Sequence, residues 1–363
     1  MKIFQQILSS VNASGSPASV VGIDIGSSSI KVVELVEKQD VLTLSTYGEI
    51  QLGPYVGKPV GQAVTLEPKQ EQAALVDVIR ESAVQGQEAV FAMPLSSSFV
   101  TNVSLDADAD TNLGALVRVE ARKVIPASLS EVTLDWAEVE VSKVEAEQAD
   151  RPTRNVLIAA IQNSALERFK ILMQFAGLTK PPTEIECFSA IRALHFTNEP
   201  DMALIDIGAT SSKLYIAHKG LLMRMHRIRA GGTVATQKIA QALDVDFDVA
   251  EERKFQADAA HSDFAHLKQA HNKSYERPFR EFQQVIREYE RRTGISIQRV
   301  YLSGGGALFP GMPKLLSEAV DREVVLANPF QKVSYPAFID DTVRGIGPSF
   351  TVALGAALRA FDG

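Results

Sequence analysis

A chain of 363 residues, 45% hydrophobic and 22% charged, has the composition of an ordinary globular protein with room for two or more cored domains. Its net charge of −7 argues against a general nucleic-acid binder, and its single cysteine, Cys187, excludes an internal disulfide and a cysteine zinc site. No run approaches ~18–20 apolar residues, so no spanning helix is expected, and Gln5, Gln6, Ser9 and Ser10 interrupt any signal-peptide core.

In chain order, Ile3, Phe4, Ile7, Leu8 and Val11 would share one face of a short N-terminal helix. A small-residue linker over 13–19 leads to an apolar strand ending at Asp24, with further strands at 30–36 and 42–51. Residues 53–68, with three glycines and three prolines, read as an extended loop. A helix at 70–84 and a short strand at 88–94 follow. From 96 to 178 the pattern changes. A strand at 99–105, a charged amphipathic helix at 113–124 and a strand at 132–144 around Trp136 come first. A charged hairpin loop at 142–153, a buried strand at 156–161 and a helix at 166–175 stopped by Gly177 complete it. This reads as a small inserted α+β subdomain. Next come a helix at 186–194, strands to Ile228 and a helix opened by Gly231-Gly232-Thr233. A charged, mostly helical stretch spans 249–293. A strand at 300–302, a helix at 313–320, a strand at 324–327 and an alanine-rich helix at 350–361 close the chain.

The most telling feature is a repeat. Residues 23–31, Ile-Asp-Ile-Gly-Ser-Ser-Ser-Ile-Lys, recur 182 residues later at 205–213 as Ile-Asp-Ile-Gly-Ala-Thr-Ser-Ser-Lys, identical at six of nine positions. Each copy reads as strand, tight turn, strand, with an acid at the bend and a lysine on the outgoing strand. A lone Asp-x-Gly is usually a turn aspartate bonding its own backbone. Two related copies point instead to two halves facing each other across a nucleotide phosphate tail. Gly26 and Gly208 permit positive φ and close backbone approach, and Ser27, Ser28, Ala209 and Thr210 offer N–H groups for phosphate oxygens. Asp24 and Asp206 are the magnesium candidates, acting through water as that hard ion prefers.

Other residues extend the site. Gly304, Gly305 and Gly306 after an apolar strand suit a flat base and an α-phosphate near a helix start. Glu251 and Lys254 lie one helical turn apart and share a face; a surface ion pair and a ligand clamp both fit that spacing. Gly231 and Gly232 before a helix would add N–H donors near a γ-phosphate. His261, His266 and His271 are spaced by five and share no helix face, which makes them poor metal ligands. Lys219, Arg224, Arg227 and Arg229 read as a solvated strand or a partner contact, and Trp136 as a core residue.

Five motifs in this order resemble the actin-like ATPase superfamily. They are the turns at Asp24–Lys31 and Asp206–Thr210, the connecting helix Glu186-Cys-Phe-Ser-Ala, the turn Ser303-Gly-Gly-Gly-Ala, and the closing helix with Ala353-Leu-Gly-Ala-Ala. Within the superfamily the chain resembles the PilM family of type IV pilus assembly proteins, near relatives of the cell-division protein FtsA. That narrower likeness rests on Lys123-Val-Ile-Pro, Glu131-Val-Thr-Leu-Asp-Trp, Ala250-Glu-Glu-Arg-Lys, Asn328-Pro-Phe and Pro348-Ser-Phe. FtsA proteins continue into a basic amphipathic membrane helix, and this chain stops two residues after Phe361, which favours the pilus family.

The resemblance implies an α/β actin-like ATPase fold with two related halves around a nucleotide cleft. Subdomain 1A would comprise 20–95 and 330–363 with a connecting helix at 184–200, and inserted subdomain 1C residues 96–183. Subdomain 2A would comprise 201–232 and 295–329, and helical subdomain 2B residues 233–294, after a tail at 1–19. The resemblance implies ATP and Mg²⁺ as cofactors, Lys31 on the phosphates, and Glu251 and Lys254 on the adenosine. Hydrolysis needs a group that positions water. Glu186 aligns with such a residue in chaperone ATPases, yet also reads as an acid in a helix's first turn. An ATP binder with slow or absent turnover is therefore expected. Its expected role is a cytoplasmic scaffold, recruited to the inner membrane by the N-terminal tail of a PilN-like membrane protein and working with other pilus assembly components. An FtsA-like membrane filament and a small-molecule kinase of the same fold are the rival readings.

Overall fold

The computed structural model describes residues 19–108, 110–140, 144, 151–179, 183–256 and 263–361. The expected N-terminal helix, most of the expected 142–153 hairpin loop and His261 lie outside the described residues.

The first half opens with a meander of β1 (Ser19–Ile25), β2 (Ser29–Lys38) and β3 (Val41–Gln51). A 3-10 turn at Gly53–Val56 and an extended run lead to α1 (Pro68–Glu81). Its start is set by a proline in the first turn and a reciprocal Glu67–Gln70 capping box. The fully buried strand β4 (Ala89–Met93) then lies parallel to β1.

The inserted subdomain comprises β5 (Ser98–Asp106), α2 (Leu113–Val124), β6 (Val132–Val139), β7 (Thr153–Gln162) and α3 (Asn163–Phe175). Its sheet has the order β5-β7-β6. The period-2 geometry of a strand explains why the centre of β7 is buried throughout. Val156, Ile158 and Ala160 pack with Leu113, Val117 and Ala121 of α2, whereas Leu157, Ala159 and Ile161 belong to the main core with Phe169 and Leu172 of α3. Trp136 packs partly buried against the α2 cluster, as a core residue should.

The chain re-enters the first half through β8 (Glu184–Ile185) and α4 (Glu186–Leu194), completing a sheet ordered β3-β2-β1-β4-β8. The second half repeats this plan. The meander β9 (Asp201–Ile207), β10 (Ser212–His218) and β11 (Leu221–Ile228) leads to α5 (Gly232–Leu243). The expected charged helical stretch divides into α6 (Phe247–Phe255), α7 (Phe264–Lys273) and α8 (Glu276–Thr293). Next come β12 (Arg299–Ser303), α9 (Met312–Val320) and β13 (Glu323–Leu326), giving a sheet ordered β11-β10-β9-β12-β13. A short helix α10 (Asp340–Ile346), the fully buried α11 (Thr351–Leu358) and a 3-10 turn at Arg359–Phe361 end the described chain. Two turns of helix carry too little periodicity for α10 to be read from sequence.

One buried histidine gives this half an acid sensitivity. His271 is 1% exposed, and its ring stacks on Phe309 with centroids 3.4 Å apart. Burial depresses its pKa to about 3. The unfolded chain therefore binds a proton that the folded chain refuses, and stability falls as pH drops below about 6.5. At pH 5 this one group should cost about 2 kcal/mol. A His271→Phe variant should accordingly show a shallower loss of melting temperature between pH 7 and pH 5 than the parent; parallel melting curves would refute the assignment.

Candidate functional site

The site begins with strand register. In an antiparallel or parallel sheet, residues directly opposed project to the same face. Across the first sheet, Ala92, Asp24, Lys31 and Glu49 form one such row over β4, β1, β2 and β3. Across the second, Ser303, Asp206, Lys213 and Arg227 form the equivalent row over β12, β9, β10 and β11. The two turns meet at their tips, where Ser27 Oγ lies 3.4 Å from Thr210 Oγ1. They enclose a cavity of about 590 Å³.

Every residue expected at the site lines this cavity except Gly231. The N–H groups of Gly26 and Gly208 close their own turns onto Ser29 and Ser211 carbonyls, at 2.9 and 3.0 Å. Those of Ser27, Ser28, Ala209 and Thr210, at the tips, find no acceptor among the described residues. Gly232 does a different job from the one expected. Gly232 N–H donates to the Gly208 carbonyl at 2.9 Å and Thr233 N–H to the Ala209 carbonyl at 3.0 Å. Two donors at the start of α5 thus anchor the second hairpin instead of reaching a phosphate.

The charged groups are tightly coupled. Lys213 Nζ sits 2.7 Å from Glu186 Oε2 and 3.3 Å from Asp206 Oδ2. Burial works against its ammonium, but Glu186 and Asp206 together outweigh that and raise its pKa. Glu186 accepts the Leu95 N–H at 2.8 Å with its other oxygen, so both carboxylate oxygens are engaged. Lys31 reaches Glu49 Oε1 at 3.0 Å and Ser29 Oγ at 2.6 Å. Burial raises Asp24 to a pKa of about 6, with Lys31 opposing and Glu186 adding to the shift. On the opposite wall Lys254 Nζ lies 2.5 Å from Glu251 Oε2 and 2.8 Å from Thr236 Oγ1, closing a buried triad. At Gly304, φ is +85°, and a Cβ there would lie 2.6 Å from Asp206 Oδ1. Only glycine lets this turn lie against the carboxylate.

The relatives agree with this architecture. A family profile described as type IV pilus assembly protein PilM matches residues 22–361. The chain belongs to the PilM family. Among solved structures it resembles a PilM–PilN type IV pilus biogenesis complex at 22% identity and a TM-score of 0.77, covering 95% of this chain and 99% of that one. The ethanolamine utilization protein EutJ from Carboxydothermus hydrogenoformans matches at 17% identity and 0.56, covering 97% and 93%. MreB5 of Spiroplasma citri bound to AMPPNP matches at 12% identity and 0.52, covering 96% and 97%. At these identities the shared property is the fold, the actin-like ATPase fold.

In this PilM-family cleft the donor set suits a hydrated divalent ion. Asp24, Asp206 and Glu186 place three carboxylates around the cavity floor. Among the described residues no three carboxylate or imidazole groups converge to cage a metal directly. Carboxylates that face an ion through its water shell fit magnesium, which dehydrates reluctantly. Sequence reading missed several lining residues. Arg227 was visible only as part of a basic stretch. Phe255, 64% exposed at the rim, and Arg168, which α3 of the inserted subdomain holds against Glu71, carried no signal. The 60–66 run, read as a plain loop, bridges the cleft. Val64 N–H donates to the Ser27 carbonyl at 2.8 Å, and Ala63 N–H to Thr233 Oγ1 at 3.2 Å.

Proposed function

We propose that this PilM-family protein binds a magnesium adenine nucleotide in the cleft and acts as a cytoplasmic scaffold of the type IV pilus assembly complex. It docks the N-terminal cytoplasmic tail of a PilN-like membrane protein and meets the membrane only through that partner. One observation carries the nucleotide reading: two Asp-Lys rows from related sheets face one cavity, with the Gly304–Gly306 turn on its wall. Asp24 and Asp206 hold the hydrated ion, and the free N–H groups of Ser27, Ser28, Ala209 and Thr210 hold the phosphates. Glu251 and Lys254 grip the adenosine. Leu95 N–H and the Lys213 ammonium hold Glu186, one at each oxygen, and turnover on this reading is slow or absent. The partner follows from the PilM–PilN complex, and closure of the cleft on nucleotide biases the state that the inserted subdomain presents. Among the described residues no helix is long and apolar enough to cross a membrane, which accords with recruitment through a partner.

The test pairs calorimetry with a pull-down. The parent should bind Mg-ATP and retain a PilN-like N-terminal peptide. An Asp24→Asn/Asp206→Asn variant should bind Mg-ATP roughly 10- to 100-fold more weakly, as expected for lost charge-assisted contacts of ~1.5–3 kcal/mol. Sugar-dependent ADP release without peptide binding would make the chain a kinase. ATP-dependent filaments on lipid without peptide binding would make it FtsA-like.

A further inference from the structure

We infer that Arg227 is the group by which this cleft distinguishes a nucleoside triphosphate from a diphosphate, an inference that rests on the nucleotide reading above. The two sheets match position by position in the two central row members, Asp24 with Asp206 and Lys31 with Lys213. At the fourth member the charge inverts: Glu49 lies opposite Lys31, and Arg227 lies opposite Lys213. The inversion changes what each lysine can do. Lys31 is neutralised along its row by Glu49 at 3.0 Å. Lys213 has a cation as its cross-strand neighbour, so it turns the other way, onto Asp206 and Glu186. Both lysines of the repeat are thereby matched by carboxylates.

Arg227 is not so matched. It forms no ion pair with the described residues, and its one side-chain hydrogen bond runs from Nε to Ser211 Oγ at 3.3 Å. Ser211 closes the second phosphate turn, so this bond holds the guanidinium beside that turn while both terminal nitrogens stay open. Arg227 also lines the cavity. At the N-terminus of α5 the Gly232 and Thr233 N–H groups are already bonded to the Gly208 and Ala209 carbonyls.

Position along the row selects which phosphate it meets. Adjacent strands lie ~4.8 Å apart, so Arg227 stands three strand spacings, roughly 14 Å, from Ser303 and the Gly304 turn. That turn is where the nucleoside end belongs, which leaves Arg227 at the distal end of the phosphate chain. A planar guanidinium with two free nitrogens suits bidentate contact with a terminal phosphate better than an ammonium does.

The experiment is calorimetric titration of the full chain with Mg-AMPPNP and Mg-ADP, for the parent, Arg227→Gln and Arg227→Lys. Arg227→Gln should weaken AMPPNP binding by roughly 10- to 100-fold and change ADP binding by less than about twofold. Arg227→Lys should recover only part of the loss, because it restores charge without the fork. Unchanged melting temperatures would show that the variants fold, as expected for an exposed strand residue with one hydrogen bond. Equal weakening of both nucleotides, or of neither, in a protein whose Asp24→Asn/Asp206→Asn variant does lose binding, overturns the inference alone. A parent that binds neither nucleotide overturns it together with the nucleotide reading.

Discussion

Replacing Gly355 by valine is expected to destabilise the chain severely, by about 4 kcal/mol or more, a large fraction of the 5–15 kcal/mol that holds a typical domain. Gly355 lies inside α11, all of whose residues are buried. A Cβ at this position would fall 1.8 Å from the Ser189 carbonyl oxygen of α4 and 2.5 Å from its carbon. That obstacle is backbone, so no rotamer change removes it. On its other side α11 rests on β1, where a Cβ at Gly22 would lie 2.0 Å from the Ala353 carbonyl. The helix is therefore wedged between two backbones. Nor is α4 free to retreat, because Glu184 of β8, 1% exposed, pairs with both Arg192 of α4 and Arg359 just beyond α11, and Arg192 Nη1 also reaches the Gly355 carbonyl at 3.3 Å. Ordinary overpacking costs ~1–3 kcal/mol when side chains can shift; here main chain must move. Chemical denaturation of Gly355→Ala and Gly355→Val tests this. Midpoints within experimental error of the parent would mean that α4 and α11 do not meet in this way. The contact matters for the site as well, since β1 carries Asp24 and α4 begins at Glu186.

The second large effect belongs to Lys213. Its side chain and those of Glu186 and Asp206 are each 12% exposed or less, so removing the cation strands two buried carboxylates beside Asp24. Breaking a buried ionic cluster by deleting one partner costs ~3–5 kcal/mol. Lys213→Met should lose stability of that order at pH 7.5. The loss should shrink as pH falls toward 5, because Asp24, which Lys213 helps to hold ionised, takes up its proton more readily in the variant. The sign follows from proton counting: the folded variant binds more protons than the folded parent, so acid favours the variant relative to the parent. Melting temperatures of both proteins from pH 7.5 to pH 5 provide the check. A gap that stays constant with pH would mean that Lys213 acts by packing and not by charge.

Much of the fold was legible because its signals are local. A strand that alternates, a turn that requires small residues and a helix closed by Gly177 each declare themselves within a few positions. The repeat at 23–31 and 205–213 made the duplication of the halves visible, and the two aspartates, both turns and the Gly304–Gly306 run all reached one cavity as expected. Failures of reading fell where the answer depends on partners distant in sequence. Gly232 looked like a phosphate donor because it helps open a helix, yet its N–H, with that of Thr233, is turned onto the Gly208 and Ala209 carbonyls. The surroundings of Glu186 were likewise out of reach of the sequence: Leu95 N–H and Lys213 each hold one of its oxygens.

By itself the sequence determined the duplicated Asp-Gly hairpins, the inserted subdomain and the five motifs in their order, since each is a statement about neighbours along the chain. Arg227 was decided by tertiary structure alone. A constant 182-residue offset carried past Lys213 pairs Glu49 with Gly231, whereas strand register pairs the position of Glu49 with Arg227. The returning strands of the two meanders keep different lengths and turns, so the offset fails there. A sheet aligns residues by hydrogen-bonded register, not by distance along the chain. That register sets a cation where the first half has an acid, turns Lys213 inward and leaves one open guanidinium at the far end of the cleft.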